Sequence, residues 1–193
     1  METSNKKAVS NTKVVTGVVM LSYAHVYEPH KANDNAEAKY SASIIIPKSD
    51  TETIAKIKRA IAAATEDGKT SKWKGRIPSG LHNPLRDGDE DRPEDESYKD
   101  SYFFNCSSKQ QPQMVDLQRQ DLIEPGALYS GCYVRVSVNF FPYDNSGSKG
   151  IAVGLNANQK VKDGTPLGGG TNAKEDFDDG FGDDLGDDDD IMG

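Results

Sequence analysis

Aromatic rings and a cation share one face of the clearest strand that the sequence predicts. Apolar residues alternate over residues 131–141, which turns Tyr133, Arg135 and Phe141 to the opposite face. Rings on an open strand face suit a stack of nucleic-acid bases, since one base–aromatic stack contributes about 1–3 kcal/mol whatever the base. Arg135 can reach a phosphate or stack on a base itself. The next predicted strand, residues 151–157, leaves room for such a stack because it turns only small residues to the matching face: Ala152, Gly154 and Asn156.

A second candidate group surrounds the single tryptophan. Trp73 stands among Lys72, Lys74 and Arg76 in a segment bounded by Pro78. A ring flanked by cations in a loop suits a finger that clamps a nucleic-acid strand. The alternative is that the ring plugs one end of the fold while its lysines stay in water, because large aromatic side chains are mostly buried.

Further rings and one more cation complete the candidate set. Tyr23 lies in a predicted loop after the first strand, Lys39 begins the polar face of a later strand, and Phe103 is the middle of three consecutive rings. Strand parity requires at least one of those three rings to point outward but does not decide which. Tyr133 and Phe141 also have a structural alternative, in which they close a second small core under a loop.

The acidic run at residues 87–100 imitates a metal site without completing one. Asp87, Asp89 and Asp91 have the spacing that opens a calcium loop, but Arg92 stands where the loop needs glycine and Tyr98 where it needs a bidentate glutamate. A solvated acidic loop is therefore the favoured interpretation. No nucleophile–base group, phosphate-binding glycine loop or dinucleotide motif is present, so we expect neither a catalytic site nor a metal or cofactor.

Charge is distributed unevenly along the chain. Residues 174–193 carry ten acidic side chains and one basic one, a net charge of −9, whereas the whole chain carries −8. Residues 1–173 without the acidic run hold 20 bases and 13 acids, a balance of +7. The low isoelectric point therefore hides a folded part with an excess of cations, which a phosphate-binding surface needs. Like charges and glycines keep the end of the chain from folding, which predicts a disordered interaction tail or a merely solubilising one.

The predicted elements are short strands, one helix and long loops. Strands are expected near residues 13–22, 39–46, 102–107, 131–141 and 151–157, and a helix that begins at a Ser49–Glu52 capping box runs to about Thr65. This pattern predicts a mainly β domain, a five-stranded OB-fold-like antiparallel barrel with one helix, and a sandwich is the competing architecture. We expect a flexible start at residues 1–12, the domain at 13–165, and a Gly-rich linker with the acidic tail at 166–193.

Cysteine usage and hydropathy point to a protein of the cytoplasm. Cys106 and Cys132 lie on predicted strands, where two cysteines without paired ligand spacing are expected to be buried thiols. No run of 18 apolar residues predicts a membrane span, and residues 1–12 lack the apolar region of a secretion signal.

Four segments give the chain a family resemblance. It resembles the single-stranded-DNA-binding proteins of tailed bacteriophages, which are OB-fold replication proteins with an acidic C-terminal tail. The segments that carry the resemblance are YSASIIIPKSD (40–50), DGDE (87–90) with DSYFFNCS (100–107), PGALYSGCYVRVSVNFFPY (125–143) and GIAVGLNANQKV (150–161).

The resemblance implies protection of single-stranded DNA (ssDNA) during phage replication or recombination inside the infected host. It also implies a tail that contacts replication or recombination proteins. Because the tail is a polyanion, we expect it to compete for the DNA groove when DNA is absent. The tail is also similar in logic to that of bacterial single-stranded-DNA-binding proteins, whose acidic tip ends in hydrophobic residues. Here Ile191 and Met192 follow the acids, but the Pro and terminal Phe of that bacterial tip are missing. The tail residues singled out are Asp183, Asp184, Asp187, Asp188, Asp189, Asp190 and Ile191.

Two other hypotheses remain open from the sequence. One is a protein-interaction module of a phage assembly, in which the acidic tail and loop dock on basic partners. The other is a strand-annealing recombination protein, which shares the binding chemistry but forms rings. A homodimer is compatible with any of the three, and an enzyme is the least favoured class.

Overall fold

A computed structural model describes residues 11–167, and these residues form a mainly β fold with one long helix. The helices are α1 (Thr51–Ser71), the single turn α2 (Gly88–Asp91) and a 3-10 turn (Glu96–Tyr98). The strands are β1 (Lys13–Val15), β2 (Val19–His30), β3 (Lys39–Pro47), β4 (Arg86–Asp87), β5 (Ser101–Ser108), β6 (Gln113–Val115), β7 (Tyr133–Asn145) and β8 (Ser148–Lys162).

Five long strands pair in a circuit that returns to its first member. β2 pairs with β3, β3 with β5, β5 with β8, β8 with β7, and β7 again with β2. The hairpin of β7 and β8 turns at Ser146 and Gly147, both with positive φ. The circuit is not wholly antiparallel as the sequence pattern predicted, because β5 meets β8 in parallel where Ser107 lies opposite Gly154.

The inward side chains of this circuit form the main core. The alternation predicted for β7 is confirmed, since Val134, Val136, Val138 and Phe140 are all buried. Phe104 meets Phe140 edge to face across the interior, with ring centroids 5.9 Å apart. Helix α1 adds Ile54, Ile57, Ala60 and Ala64 to the same core, which is why its apolar residues recur at helical spacing.

Two elements extend further than the sequence pattern predicted. β2 continues to His30, where a loop was expected, because irregular register shifts let it stay paired with β3 despite its proline and polar residues. Helix α1 runs to Ser71, beyond the expected end near Thr65, and contains Gly68. A side chain at Gly68 would collide with Trp73, so that glycine serves close packing.

The beginnings of two elements also differ from expectation. The N-cap of α1 is Asp50, whose side chain accepts a hydrogen bond from the Thr53 backbone N–H, rather than the Ser49 capping box. The first predicted strand is divided into β1 and β2 at Gly17, whose N–H donates to the Thr53 hydroxyl 2.9 Å away.

The acidic run is folded rather than a freely solvated loop. Asp87 caps α2, Asp95 caps the 3-10 turn, and Tyr98 descends from that turn onto the outer face of the sheet. There it packs on Phe103 and Ile45 in a small second core. A second core under this loop was one prediction from the sequence, but its rings are Tyr98 and Phe103 and not those of β7.

Both cysteines are free and buried, as the sequence predicted. Burial raises the pKa of the Cys106 thiol to about 12, which keeps it protonated and unreactive at neutral pH. Within residues 11–167, no helix is both long and apolar enough to cross a membrane.

Candidate nucleic-acid interface

A cleft of about 600 Å³ lies over the outer face of β2, β3, β5 and β8. Its floor is made of small or short polar side chains, which alternate with the core residues on the same strands. Ser41 lies opposite Ser107 and Ser43 opposite Asn105 across the pairing of β3 with β5, and Ala152 of β8 continues the surface. A floor without large side chains lets a ligand approach the sheet closely.

One wall of the cleft holds an arginine among aromatic rings. The Arg92 guanidinium lies 5.2 Å from the ring centre of Tyr23, 5.0 Å from that of Tyr98 and 5.4 Å from that of Phe103. Its Nη1 also donates to the Tyr23 hydroxyl at 3.3 Å. Cation–π contacts of this kind hold the charge in place without neutralising it, so Arg92 keeps its full charge for an anion.

The loop that carries Arg92 is tied down by ion pairs. Nζ of Lys48 lies 2.9 Å from a carboxylate oxygen of Asp87 and 2.8 Å from one of Asp89. The bonds to Asp89 and Asp87 raise the pKa of Lys48 above its ordinary value. The bond from Lys48, together with one from the Asp100 N–H, lowers the pKa of Asp89. Nε of Arg86 donates to Asp91 at 2.7 Å. The acids of this segment therefore position cations at the edge of the cleft.

Histidine rings form the remaining ionisable part of the lining. His25 and His30 stack almost in parallel, with ring centroids 4.2 Å apart and planes 9° apart. His82 lies on the other side, where its backbone bonds to Lys149 and Ile151 of β8. Burial, and then the neighbouring His30, lower the pKa of His25.

The predicted stacking residues of β7 lie on its outer face, as alternation required. Phe141 is 42% exposed and pairs with Ala152 of the cleft floor, and its ring covers Gly154. Arg135 is exposed, and its Nε donates to the carbonyl of Thr16 at 3.1 Å. Tyr133 is half-buried, with Nζ of Lys162 lying 4.8 Å from its ring centre. None of these three residues is among the described lining residues of the cleft, although Phe141 lies next to the floor residue Ala152, and their contact with DNA stays a prediction.

Two predicted stacking rings are buried, so the prediction that they are open to bases is wrong. Trp73, which follows the end of α1, is only 4% exposed because its ring packs against Gly68. Its Nε1 donates to the Tyr143 carbonyl at 3.2 Å. Phe103 does point to the outer face of the sheet, but Tyr98 covers it and leaves 1% exposed. Both rings support the cleft wall from behind.

The other predicted residues divide between cleft, surface and the undescribed end. Tyr23 lines the cleft and is 53% exposed. Lys39 is half-buried and pairs with His30 at the start of β3, next to the cleft. Lys72, Lys74 and Arg76 are exposed beside Trp73 but are not among the described lining residues. The tail residues, Asp183 to Ile191, lie outside the described residues.

Sequence reasoning missed Arg86, Arg92 and the three histidines. The two arginines stood inside or beside an acidic run and were counted as minor charges there. The histidines are 57 residues apart at most and carry no ligand spacing. Residues 11–167 contain no group of three or more His, Cys, Asp or Glu side chains that could hold a metal ion.

The family of the chain follows from its sequence as a whole. The family model described as Enterobacter phage Enc34, ssDNA-binding protein matches residues 12–192. The chain belongs to this family. Protein p50 of Acyrthosiphon pisum secondary endosymbiont phage 1 is 34% identical over 174 residues, which cover 86% of this chain and 93% of p50.

Solved structures agree with the family assignment. The single-stranded DNA-binding protein from bacteriophage Enc34, solved in complex with ssDNA, superposes with a TM-score of 0.71 at 26% identity, covering 84% of this chain and 96% of that one. Bacteriophage T7 gp2.5, a single-stranded DNA-binding protein, superposes with a TM-score of 0.54 at 16% identity, covering 84% and 98% of the two chains. The likeness to gp2.5 is one of fold.

Proposed function

We propose that this protein binds single-stranded DNA without sequence preference in the cleft over β2, β3, β5 and β8. The observation that carries the proposal is the lining itself. In a chain of net charge −8, the described lining holds Arg86 and Arg92 but no Asp or Glu. Membership of the Enc34 family supports the same conclusion, since a member of that family has been solved with ssDNA.

We infer an OB-fold, because five long strands that pair in a circuit are what the five-stranded barrel of that fold requires. That fold binds oligonucleotides on the face of its second and third strands, and β3 and β5 are the second and third members of the circuit. The cleft lies on this face, which favours the OB-fold interpretation over a sandwich.

The geometry suits recognition of bases and backbone together. Tyr23 offers an exposed ring in the lining, and the exposed ring of Phe141 lies next to the floor residue Ala152, while the serines and Asn105 of the floor admit a close approach. Stacking tolerates any base, and arginines beside the rings bind phosphates, so the arrangement provides affinity with little sequence readout.

We further propose that the bound DNA is protected during phage replication or recombination, with the acidic C-terminal segment acting as a competitor and a partner-binding arm. A segment of charge −9 in a chain whose body is close to neutral resembles a polyanion, and it can occupy the cationic cleft until DNA displaces it. Replication proteins would then find the segment free.

A titration tests the DNA-binding proposal. Fluorescence anisotropy of labelled oligo-dT and of a mixed sequence is measured at two salt concentrations with the full chain. Replacing both Arg86 and Arg92 by Ala should weaken binding at least about tenfold for both oligonucleotides, because a hydrogen bond to a charged group is worth about 1.5–3 kcal/mol. The salt dependence should also become shallower, by about 0.7 in the log–log slope for each lost phosphate contact.

Arg59→Ala is the matched control. Arg59 is exposed on α1 and is not among the described residues that line the cleft, and alanine preserves the helix. Binding that survives the double arginine change but fails in Arg59→Ala would place the interface on α1 instead. Light scattering of the full chain with and without DNA separates this function from ring-forming strand annealing.

A further inference from the structure

All three histidines of the chain line the one cleft. His25 and His30 belong to β2, and His82 comes from the segment between α1 and β4, so the fold brings them together from distant positions. Histidine is the side chain whose charge changes between pH 5 and 8, since its ordinary pKa is about 6.5. The number of cations that can face a bound phosphate therefore depends on protonation.

We propose that His25, His30 and His82 are ssDNA-contact residues that bind the phosphate backbone in their protonated form, so that DNA binding is coupled to proton uptake. This inference rests on the proposed function and adds to it a set of contacts and a pH dependence. The coupling has a definite sign. Phosphates beside imidazoles favour the charged ring, and affinity must then rise as pH falls through the neutral range.

The surroundings of the cleft favour this coupling. The titratable and charged groups that line the same cleft as the imidazoles are Arg86, Arg92, Tyr23, Tyr143 and Cys106. Lys39 lies opposite His30 in the strand pairing, and Glu28 lines a second cavity together with His25. Within the described lining no carboxylate can hold a histidine proton in the absence of DNA. An arriving phosphate would therefore supply the negative charge that this lining lacks.

The stacked pair of His25 and His30 makes the pH dependence of ssDNA binding steeper. The His25 and His30 rings are stacked with their centroids 4.2 Å apart, so two positive charges placed there would repel each other. Burial, and then the neighbouring His30, lower the pKa of His25 in the free protein, which disfavours the charged form of that ring. A phosphate placed beside the pair offsets both the burial of His25 and the repulsion between two charged rings. The pair then takes up protons as DNA binds.

Affinity for labelled oligo-dT between pH 6 and pH 8.5 tests the inference. Thymine has no group that titrates in this range, and Asp and Glu stay ionised, so the part of the slope that is lost when the histidines are replaced reports their protonation. For each proton taken up on binding, the affinity rises about tenfold for every unit by which the pH falls. We expect the full chain to bind at least about tenfold more tightly at pH 6 than at pH 8, and the variant His25→Gln/His30→Gln/His82→Gln to lose most of that difference.

Arg86→Gln is the matched control, since it removes a permanent charge from the same lining. It should weaken binding by a similar factor at every pH and keep the slope. Nuclear magnetic resonance of the three imidazole signals adds a second measurement, because their pKa values should rise when oligo-dT is added.

The outcomes separate the inference from the proposed function. Binding at pH 8 with no pH dependence, or a slope that persists in the triple glutamine variant, overturns the histidine contacts and leaves the ssDNA-binding function standing. An absence of binding at every pH overturns both.

Discussion

Arg92 and Trp73 show how far apart a residue's sequence context and its position in the fold can be. Trp73 has cations on both sides in sequence, yet it is buried and donates to the Tyr143 carbonyl. Arg92 stands in the most acidic stretch of the body, yet three rings hold it at the cleft. Neighbours along the chain predicted the opposite roles, because burial depends on which residues the fold brings into contact.

Trp73 should matter for stability and not for DNA contact. Trp73→Phe loses the bond to Tyr143 but keeps most of the packing, and we expect its affinity for oligo-dT to match that of the unchanged chain. Trp73→Ala should lower the free energy of unfolding by about 3–5 kcal/mol, as large-to-small changes in a core do.

Urea unfolding and the oligo-dT titration check these two expectations. The intrinsic fluorescence offers an independent control, because the chain has one tryptophan. A buried indole should emit at short wavelength and resist quenching by acrylamide, with and without DNA. Strong quenching that DNA relieves would return Trp73 to the list of contact residues.

Among the elements, the segment between β4 and β5 matters most for the cleft. Its acids are used locally, as helix caps and as partners of Lys48 and Arg86, and its buried anchor is Tyr98. The Tyr98 hydroxyl lies 3.1 Å from that of Ser43 and 3.3 Å from that of Ser22, which fixes the segment on the sheet. An acidic segment thus forms one wall of a cationic cleft.

Removing Lys48 should loosen this segment without unfolding the domain. In Lys48→Met we expect faster hydrogen exchange over residues 87–100 and weaker ssDNA binding, because Arg92 loses its fixed position. Lys109→Met is the control, since Lys109 is an exposed cation paired with Glu37 elsewhere. Exchange over 87–100 that is equal in both variants would contradict the structural role of Lys48.

The difference in hydrogen exchange between the unchanged chain and Lys48→Met should depend on pH through the pKa values of Lys48 and Asp89. Asp89 has a lowered pKa in the folded chain, so its contribution is present above its unfolded pKa and is lost as pH falls through the folded value. Lys48 has a raised pKa, so its contribution is lost only at strongly alkaline pH. The excess protection of residues 87–100 over Lys48→Met should therefore be constant near neutrality and vanish in acid.

At the scale of the whole molecule, charge is divided between parts with opposite roles. The body without its acidic run has a balance of +7, and the last twenty residues carry −9. The described cleft lining has no carboxylate, while the end of the chain is almost wholly acidic. A polyanion attached to a cationic cleft competes with a second polyanion, which is the physical basis of the proposed tail regulation.

A chain ending at Gly170 should therefore bind ssDNA more tightly than the full chain and respond more steeply to salt. Anisotropy titrations of oligo-dT at several salt concentrations measure both quantities. A full-length variant with the last four aspartates, 187–190, changed to Asn separates charge from length and should fall between the two. Weaker binding on truncation would contradict competition and indicate a direct contribution of the tail.

Local periodicity determined much of the fold from sequence alone. The alternation of β7, the buried Cys106 and Cys132, and the face of α1 were all predicted, because each depends on side chains within one element. Tyr23 was named as a candidate ring in a predicted loop, and the structure places it in β2, where it lines the cleft. Element ends were less certain, since the pairing of β2 as far as His30 depends on β3.

What the sequence by itself determined is the class of the protein: a mainly β domain with a cationic balance, an acidic end and the segments of a phage ssDNA-binding family. Only the tertiary structure decided which residues line the candidate cleft. Arg92 over the ring of Tyr23 in β2, and His82 across the cleft from the two histidines of β2, bring separate elements together. Sequence spacing carries no record of such contacts, because they exist only once the strands have paired and the loops have closed over them.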